Sequence, residues 1–145
     1  MSVAAPRILL VEDDPDDVLF MRRAFAQLNV SAPLDVVEDG ARAIAWLEGP
    51  TPAEPARADT THVLLDLKLP LVPGIEVLRW LRSRPDRADV RVIVLTSSND
   101  ARDIDAATAL GIDAFLVKPI AFGDLLTCVR AVASTWGLPI GEPAG

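Results

Sequence analysis

The chain has 145 residues, of which 50% are hydrophobic and 24% charged, and its formal net charge at pH 7 is −7. This length suits one domain with a substantial core, and the negative charge disfavours nucleic acid, whose binding depends on cationic side chains that neutralise phosphates. A single cysteine and a single histidine, Cys128 and His62, exclude an intramolecular disulfide, a cysteine-based zinc site and a histidine-cluster metal site.

The apolar runs are too short for a membrane protein. None approaches the roughly 20 residues that a transmembrane helix needs. Residues 1–6 lack the basic segment followed by an apolar core that marks a secretory signal. We therefore expect a single cytoplasmic domain over residues 1–145, with its core at about residues 6–136 and a short tail at residues 137–145.

Short aliphatic runs alternate with segments of helical periodicity along the chain. The first run ends at Glu12-Asp13-Asp14-Pro15, where Asp14 is a suitable N-cap and Pro15 fits the first turn of a helix. The later runs repeat this order of a strand followed by a helix. We expect strands at residues 7–11, 34–37, 62–65, 91–95 and 114–117, and helices at residues 15–28, 40–47, 74–84, 100–110 and 122–136.

Two stretches lie outside this alternation. Residues 48–59 contain three prolines and no aliphatic periodicity, which predicts an extended loop inserted into the domain. Leu138 and Ile140 follow the last helix, where little core remains to cover them. We therefore expect both side chains to contribute to a partner surface.

The alternation of strands and helices predicts an α/β fold, with a five-stranded parallel sheet and five helices packed on both faces. In such a sheet the carboxyl ends of the strands form the edge where ligands bind. Asp66 ends the apolar run 62–65 and should lie at this edge. The other residues expected there are Glu12, Asp13, Thr96 and Lys118.

This set of side chains suits phosphoryl chemistry with a divalent cation. Glu12, Asp13 and Asp66 would repel one another unless a cation or a proton offset their charge, and Mg²⁺ binds such oxygen ligands. Thr96 offers a hydroxyl donor to a phosphate oxygen and Lys118 a positive charge. Asp66 is then left as the nucleophile, because carboxylates can form acyl phosphates.

The arrangement resembles the receiver domain of bacterial two-component response regulators. The resemblance covers about residues 6–136 and implies a doubly wound, flavodoxin-like sheet of strand order 2-1-3-4-5. The residues that carry it are Glu12-Asp13, Asp66 followed by Pro70, Thr96 at the end of the fourth strand, and Lys118-Pro119.

The resemblance also implies roles for the site residues. Asp66 would accept a phosphoryl group from a phosphohistidine on a sensor histidine kinase. Asp13 and Asp66 would bind Mg²⁺ or Mn²⁺ directly, with the backbone carbonyl of Lys68 as a further ligand and Glu12 acting through water. In this family the lifetime of the phosphoryl group depends on the residues at the positions of Lys68 and Ser98.

A second group of implied roles concerns the switch. Thr96 and Phe115 would form a switch pair, in which the hydroxyl moves toward the phosphoryl group and the ring changes orientation. Lys118 would contact the phosphoryl group, and the Lys118–Pro119 bond would be cis.

The resemblance narrows to a subgroup. The proline-rich insertion and the lack of an output domain resemble single-domain regulators paired with phytochrome-type sensor kinases. We expect a homodimer through the fourth helix, fifth strand and fifth helix. We expect no enzyme activity beyond the chain's own phosphoryl transfer and autodephosphorylation, and no direct contact with nucleic acid or membrane.

Three other functions are weighed against this interpretation. A degenerate receiver could serve as a scaffold that binds without phosphorylation, but the complete set of edge residues argues against it. A phosphohydrolase of the haloacid dehalogenase type needs an aspartate where Lys68 stands. A nucleotide- or flavin-binding module needs a glycine-rich turn after the first strand, where the chain has Glu12-Asp13-Asp14.

Overall fold

The computed structural model describes residues 6–53, 55–97 and 99–141. Five strands alternate with five helices, as predicted, with boundaries within two residues of those expected. The elements are β1 Ile8–Val11, α1 Pro15–Gln27, β2 Leu34–Val37, α2 Gly40–Glu48, β3 His62–Leu65, α3 Gly74–Ser83, β4 Arg91–Thr96, α4 Ala101–Ala109, β5 Ala114–Val117 and α5 Phe122–Trp136. Within the described part of the chain, none of these helices has the length and apolar character needed to cross a membrane.

All five strands are parallel and lie in the order β2-β1-β3-β4-β5. This is the doubly wound, flavodoxin-like α/β fold that was expected. Val11 at the end of β1 is in register with Leu65 at the end of β3, and Leu65 is in register with Val94 of β4. The loops that follow these strands therefore begin side by side at one edge of the sheet.

The helices form a layer on each face of the sheet because side chains along a strand alternate between its faces. On one face, Leu9 and Val11 of β1 pack with α2 and α3, and Ala107 of α4 joins them. On the other face, Ile8 and Leu10 pack with α1 and α5. All four of these β1 side chains are buried, so the sheet forms the centre of both cores.

Helix α4 is the least embedded helix, and Arg82 of α3 holds its carboxyl-terminal end. Only Ala107 of α4 is buried. The Arg82 guanidinium donates hydrogen bonds of 2.6–3.1 Å to four backbone carbonyls, those of Ala88, Val90, Leu110 and Gly111. These bonds tie the end of α4 to α3 and to the loop before β4.

The insertion at residues 48–59 is not wholly extended, and that prediction was wrong for its last part. A 3-10 helix spans Pro55–Asp59. The guanidinium of Arg57 lies 4.8 Å from the centroid of the Trp46 ring, and Trp46 Nε1 donates a 3.0 Å hydrogen bond to Thr60 Oγ1. These contacts with α2 order the segment, and proline at its first position needs no helical N–H bond.

The prediction that Leu138 lies on a partner surface was also wrong. Gly137 takes a left-handed conformation (φ 65°) at the end of α5, and the Leu138 amide donates to the carbonyl of Ala133 at 2.8 Å. This turn directs Leu138 into the core beside α1 and α5, where it is 6% exposed. Ile140 remains 41% exposed. Residues 142–145 of the tail lie outside the described residues.

Candidate functional site

Polar residues are buried where the strands end, at the carboxyl edge of the sheet. Glu12 follows β1, Asp66 follows β3 and Thr96 ends β4, and their exposed fractions are 3%, 5% and 0%. Asp13, the next residue after Glu12, is exposed. Because burial of unpartnered polar groups is costly, the partners of these side chains define what the site can do.

Asp66 receives three hydrogen bonds from three different parts of the chain. The hydroxyl of Thr96 and the backbone amide of Lys68 donate to Oδ1 at 2.8 and 3.0 Å. The ammonium group of Lys118 donates to Oδ2 at 2.8 Å. The carboxylate is thus held in one orientation, with a hydroxyl on one of its oxygens and a cation on the other.

Lys118, which follows β5, is the cation at the centre of the site. Its side chain is 17% exposed, and its Nζ contacts Oε1 of Glu12, Oδ2 of Asp66 and, at 3.2 Å, Oδ2 of Asp17. Burial acts to lower the pKa of Lys118, but its hydrogen bonds to Asp66 and Glu12 outweigh burial and raise the pKa above its ordinary value. The lysine is therefore fully charged at neutral pH.

Burial and hydrogen bonding also act in opposite directions on the pKa of Glu12. Burial raises the pKa of its carboxyl, while hydrogen bonds from Lys118 and from the backbone amide of Asp14 act to lower it. Burial prevails, so the pKa is raised overall. A buried carboxylate of this kind benefits from any additional positive charge at the site.

The carboxylates of Glu12, Asp13 and Asp66 form a group that could hold a metal ion. One oxygen from each can be chosen so that all three lie within 4.8 Å of one another. Oxygen ligands are those that Mg²⁺ and Mn²⁺ prefer, and two of these three carboxylates, Glu12 and Asp66, contact Lys118. The donor set therefore fits a hard divalent cation.

The loop after β3 lies close to the start of α3 because residue 74 is glycine. The Gly74 amide donates to the carbonyl of Leu67 at 2.9 Å. A Cβ built on Gly74 would lie 2.1 Å from the backbone oxygen of Asp66. Only glycine fits this contact.

The remaining predicted residues are placed as follows. Phe115 of β5 is half-buried on the face that carries Val94, two residues before Thr96 in β4. Ser98 lies outside the described residues. The described residues contain no cis peptide bond, so the implied cis form of the Lys118–Pro119 bond is wrong. The trans form is the lower in energy by about 0.5–1 kcal/mol for a bond before proline, and Lys118 reaches Asp66 from it.

Two features of the site were missed in the sequence. Asp17, in the first turn of α1, was not among the predicted site residues, but it contacts Lys118. A cavity of about 380 Å³ also opens beside Lys118, between α1 and the start of α5. Its rim includes Phe20, Ile120 and Phe122, which are 40%, 106% and 36% exposed. The signal available in the sequence was the pair of apolar residues Ile120 and Phe122 shortly after the end of β5.

Comparison with known proteins assigns this arrangement to a family. The model of the response regulator receiver domain matches residues 8–130. Response regulator Rcp1 from Synechocystis sp. is 31% identical over 137 residues, which cover 94% of this chain and 92% of Rcp1. The probable methanogenesis regulatory protein FilR2 from Methanothrix harundinacea is 33% identical over 132 residues, which cover 89% of this chain and 82% of FilR2.

Comparison with solved structures supports the same family. The phosphorylated cyanobacterial phytochrome response regulator RcpA matches with a TM-score of 0.82 and 29% identity, over 96% of this chain and all of RcpA. The Mn²⁺-bound form of Rcp1 matches with a TM-score of 0.79 and 30% identity, over 96% of this chain and 99% of Rcp1. The chain belongs to the response regulator receiver domain family.

Proposed function

We propose that this chain is a stand-alone response regulator that accepts a phosphoryl group on Asp66 from a sensor histidine kinase, in a reaction that requires Mg²⁺ or Mn²⁺. One observation carries the proposal. A single buried carboxylate is bonded at once by the Thr96 hydroxyl and the Lys118 ammonium, and two further carboxylates stand within metal-binding distance. These are the groups that transfer to a carboxylate requires.

The proposed reaction is a displacement at phosphorus. A carboxylate oxygen of Asp66 forms a bond to the phosphorus of the kinase's phosphohistidine, and the bond from phosphorus to the imidazole nitrogen breaks with its electron pair leaving on the ring. The product is an acyl phosphate on Asp66. Thr96 and Lys118, already hydrogen-bonded to Asp66, then donate to the phosphoryl oxygens and stabilise their negative charge.

The metal would be held by Asp13, Asp66 and the backbone carbonyl of Lys68, with Glu12 acting through water. When bound, the cation supplies positive charge that offsets the carboxylates and the phosphoryl oxygens. The chain's own residues set the remaining electrostatics. Glu12 and Asp66 are buried, so their interactions with Lys118 are screened less by solvent than those of exposed charges.

Phosphorylation would be reported through Thr96 and Phe115 to the face formed by α4, β5 and α5, which we propose as the homodimer surface. Two observations support this choice. Helix α4 buries only Ala107, so little packing opposes its movement. Strand β5 is at the edge of the sheet, and its last residue, Val117, is 47% exposed.

The partner would be a sensor kinase in the same cytoplasm, of the phytochrome type. The similarity to RcpA, described as a phytochrome response regulator, supports this partner. The scaffold alternative is disfavoured by the complete site, and the phosphohydrolase alternative by Lys68 at the position that needs an acid. Residues 1–145 would act as one signalling domain rather than as an enzyme with an external substrate.

Labelling by a small-molecule phosphodonor tests the phospho-acceptor. With acetyl phosphate and Mg²⁺ we expect one hydroxylamine-sensitive phosphoryl group per chain, detected by intact-protein mass spectrometry. Asp66→Asn should abolish it, because an amide is not a nucleophile toward phosphorus. Asp105→Asn on α4 is the matched control and should label normally. Undiminished labelling of Asp66→Asn would refute the assignment.

A second experiment tests the switch. Lys118→Ala should still accept the phosphoryl group. Phosphorylation should no longer change the conformation of the variant, because the ammonium group that would respond to the new charge is missing. The measurement is the oligomeric mass by light scattering before and after labelling. A normal phosphorylation-dependent shift in dimerisation of Lys118→Ala would contradict the proposed role of the lysine.

A further inference from the structure

Among the described residues, the ammonium group of Lys118 has three carboxylate partners, and each comes from a different part of the chain. Asp66 follows β3 and lies 2.8 Å away, Glu12 follows β1, and Asp17 is in the first turn of α1 at 3.2 Å. An ammonium group has three N–H donors. Each carboxylate can therefore accept one of them.

These three carboxylates differ in what else they can bind. Glu12 and Asp66 belong to the group of oxygens that could hold a metal ion, together with Asp13. Asp66 is also the proposed phospho-acceptor. Asp17 is not a member of that group among the described residues, and its side chain is 41% exposed. Asp17 is thus the one partner of Lys118 that neither a metal nor a phosphoryl group would engage.

The surroundings of Lys118 leave room for its side chain to move while metal and phosphoryl group bind. Lysine has a flexible four-carbon stem, and a cavity of about 380 Å³ borders it, lined in part by Leu10, Met21 and Leu125. When Glu12 and Asp66 are engaged elsewhere, the ammonium group would have room to leave the site. Asp17 lines the same cavity and stands beside the lysine.

We propose that Asp17 is a positioning residue that keeps Lys118 at the site while metal and phosphoryl group occupy its other two partners. It acts through the lysine and does not touch the phosphoryl group. This inference rests on the proposed function. It assigns to an acid in a helix's first turn, where a negative charge is already favourable, a second role in phosphoryl binding.

Asp16 provides a matched control because it lies in the same turn of α1. It carries the same charge, it is exposed, and it is not among the groups that contact Lys118 in the described chain. Asp16→Asn and Asp17→Asn therefore change the net charge and the helix terminus equally. Only Asp17→Asn removes an ion pair with the lysine.

The test measures binding of beryllofluoride, a phosphoryl mimic, in the presence of Mg²⁺ by ¹⁹F NMR. Asp17→Asn should weaken binding roughly 1.5- to 5-fold more than Asp16→Asn does, the range that a partly exposed ion pair supports. Asp17→Glu should restore part of the loss. In a Lys118→Ala background, Asp17→Asn should have no further effect. Equal losses in the two Asn variants, or an undiminished loss without Lys118, would overturn the inference.

Urea unfolding of the metal-free protein separates this inference from the proposed function. If the wild-type chain neither binds beryllofluoride nor accepts a phosphoryl group, the proposed function fails. A double-mutant cycle of Asp17→Asn and Lys118→Ala still tests the contact. We expect a coupling equivalent to about a 1.5- to 5-fold change in the unfolding equilibrium constant. Zero coupling would overturn the positioning role whatever the phosphodonor result.

Discussion

The two ends of the sheet differ in how their acidic side chains are paired with cations. At the amino end, two acids, Asp35 and Asp113, each pair with a different arginine. Asp35 is bonded by Arg7 through two nitrogens at 2.7 and 3.0 Å, and Asp113 is bonded by Arg91 at 2.9 Å. Trp136 of α5 also donates to Asp113 at 2.8 Å. Each of these two pairs contains one negative and one positive charge.

At the carboxyl end, three acids share one lysine. Glu12, Asp17 and Asp66 all contact Lys118, and Asp13 stands beside them. The same fold therefore carries one end arranged for stability and another that keeps an excess of negative charge. Proteins depart from such local balance mainly at functional sites. The comparison predicts that the two ends respond differently to loss of a cation, to added metal and to pH.

Removal of the shared lysine should have the largest effect. We expect Lys118→Met to lower the free energy of unfolding by roughly 3–5 kcal/mol in metal-free buffer, because it leaves two buried acids without their cation. The measurement is urea unfolding followed by tryptophan fluorescence. Unchanged stability would mean that the acids at this end are not held by Lys118.

The amino end supplies the control for that variant. Arg7→Met also removes a cation from a partly buried aspartate, Asp35. Saturating Mg²⁺ should restore stability to Lys118→Met, because a cation bound at the carboxyl end replaces the lost charge. It should not restore stability to Arg7→Met beyond the wild-type response. Equal rescue of both variants would contradict a metal site confined to one end.

A medium effect is expected at Asp113. Asp113→Asn keeps the size of the side chain but removes the charge of the carboxylate that accepts hydrogen bonds from Arg91 and Trp136. We therefore expect the free energy of unfolding to fall by about 1 kcal/mol. Phosphodonor labelling should be unchanged. The fluorescence of Trp136 should shift, and Asp105→Asn, an exposed acid on α4, should show neither change. Loss of labelling in Asp113→Asn would show that the two ends are not independent.

The smallest effect concerns His62 at the amino end, whose ring lies 4.6 Å from the ring of Trp136. Burial lowers the pKa of His62 from 6.5, with the charge of Arg91 adding to this effect and that of Asp113 opposing it. Below about pH 6.5 the unfolded chain takes up a proton that the folded chain does not. The free energy of unfolding should therefore fall as pH falls through this range.

His62→Gln isolates that contribution, because the other titrating groups remain. Urea unfolding at several pH values between about 7.5 and 5.5 should give a shallower slope for the variant than for the wild type. Identical slopes would mean that His62 titrates alike in the folded and unfolded chains.

Much of the fold could be predicted because its signals are local. The 3/4 spacing of apolar residues and the glycine at position 137 predicted α5 with its observed boundaries, Phe122–Trp136. The meeting of Glu12, Asp66 and Lys118 followed from the parallel sheet, since each comes directly after a strand. Their hydrogen bonds follow because the sheet brings the three side chains within reach of one another.

The missed features depend on contacts between distant segments. Leu138 is buried because the turn at Gly137 sends the chain back over α1, and no local pattern contains α1. Asp17 had a sufficient local explanation in the charge of a helix terminus. Its contact with Lys118 joins residues 101 positions apart, and the ordering of the 3-10 helix likewise depends on Trp46 of a preceding helix.

The contact between Gly74 and the Asp66 backbone has a consequence for how this protein can vary. Every residue larger than glycine at position 74 would push the aspartate's loop away from α3 before it changed any chemistry. Activity lost in such a variant would reflect displacement of an intact acid. In a mutational survey, position 74 should therefore tolerate substitution as poorly as a catalytic residue does. The reason would be steric rather than chemical.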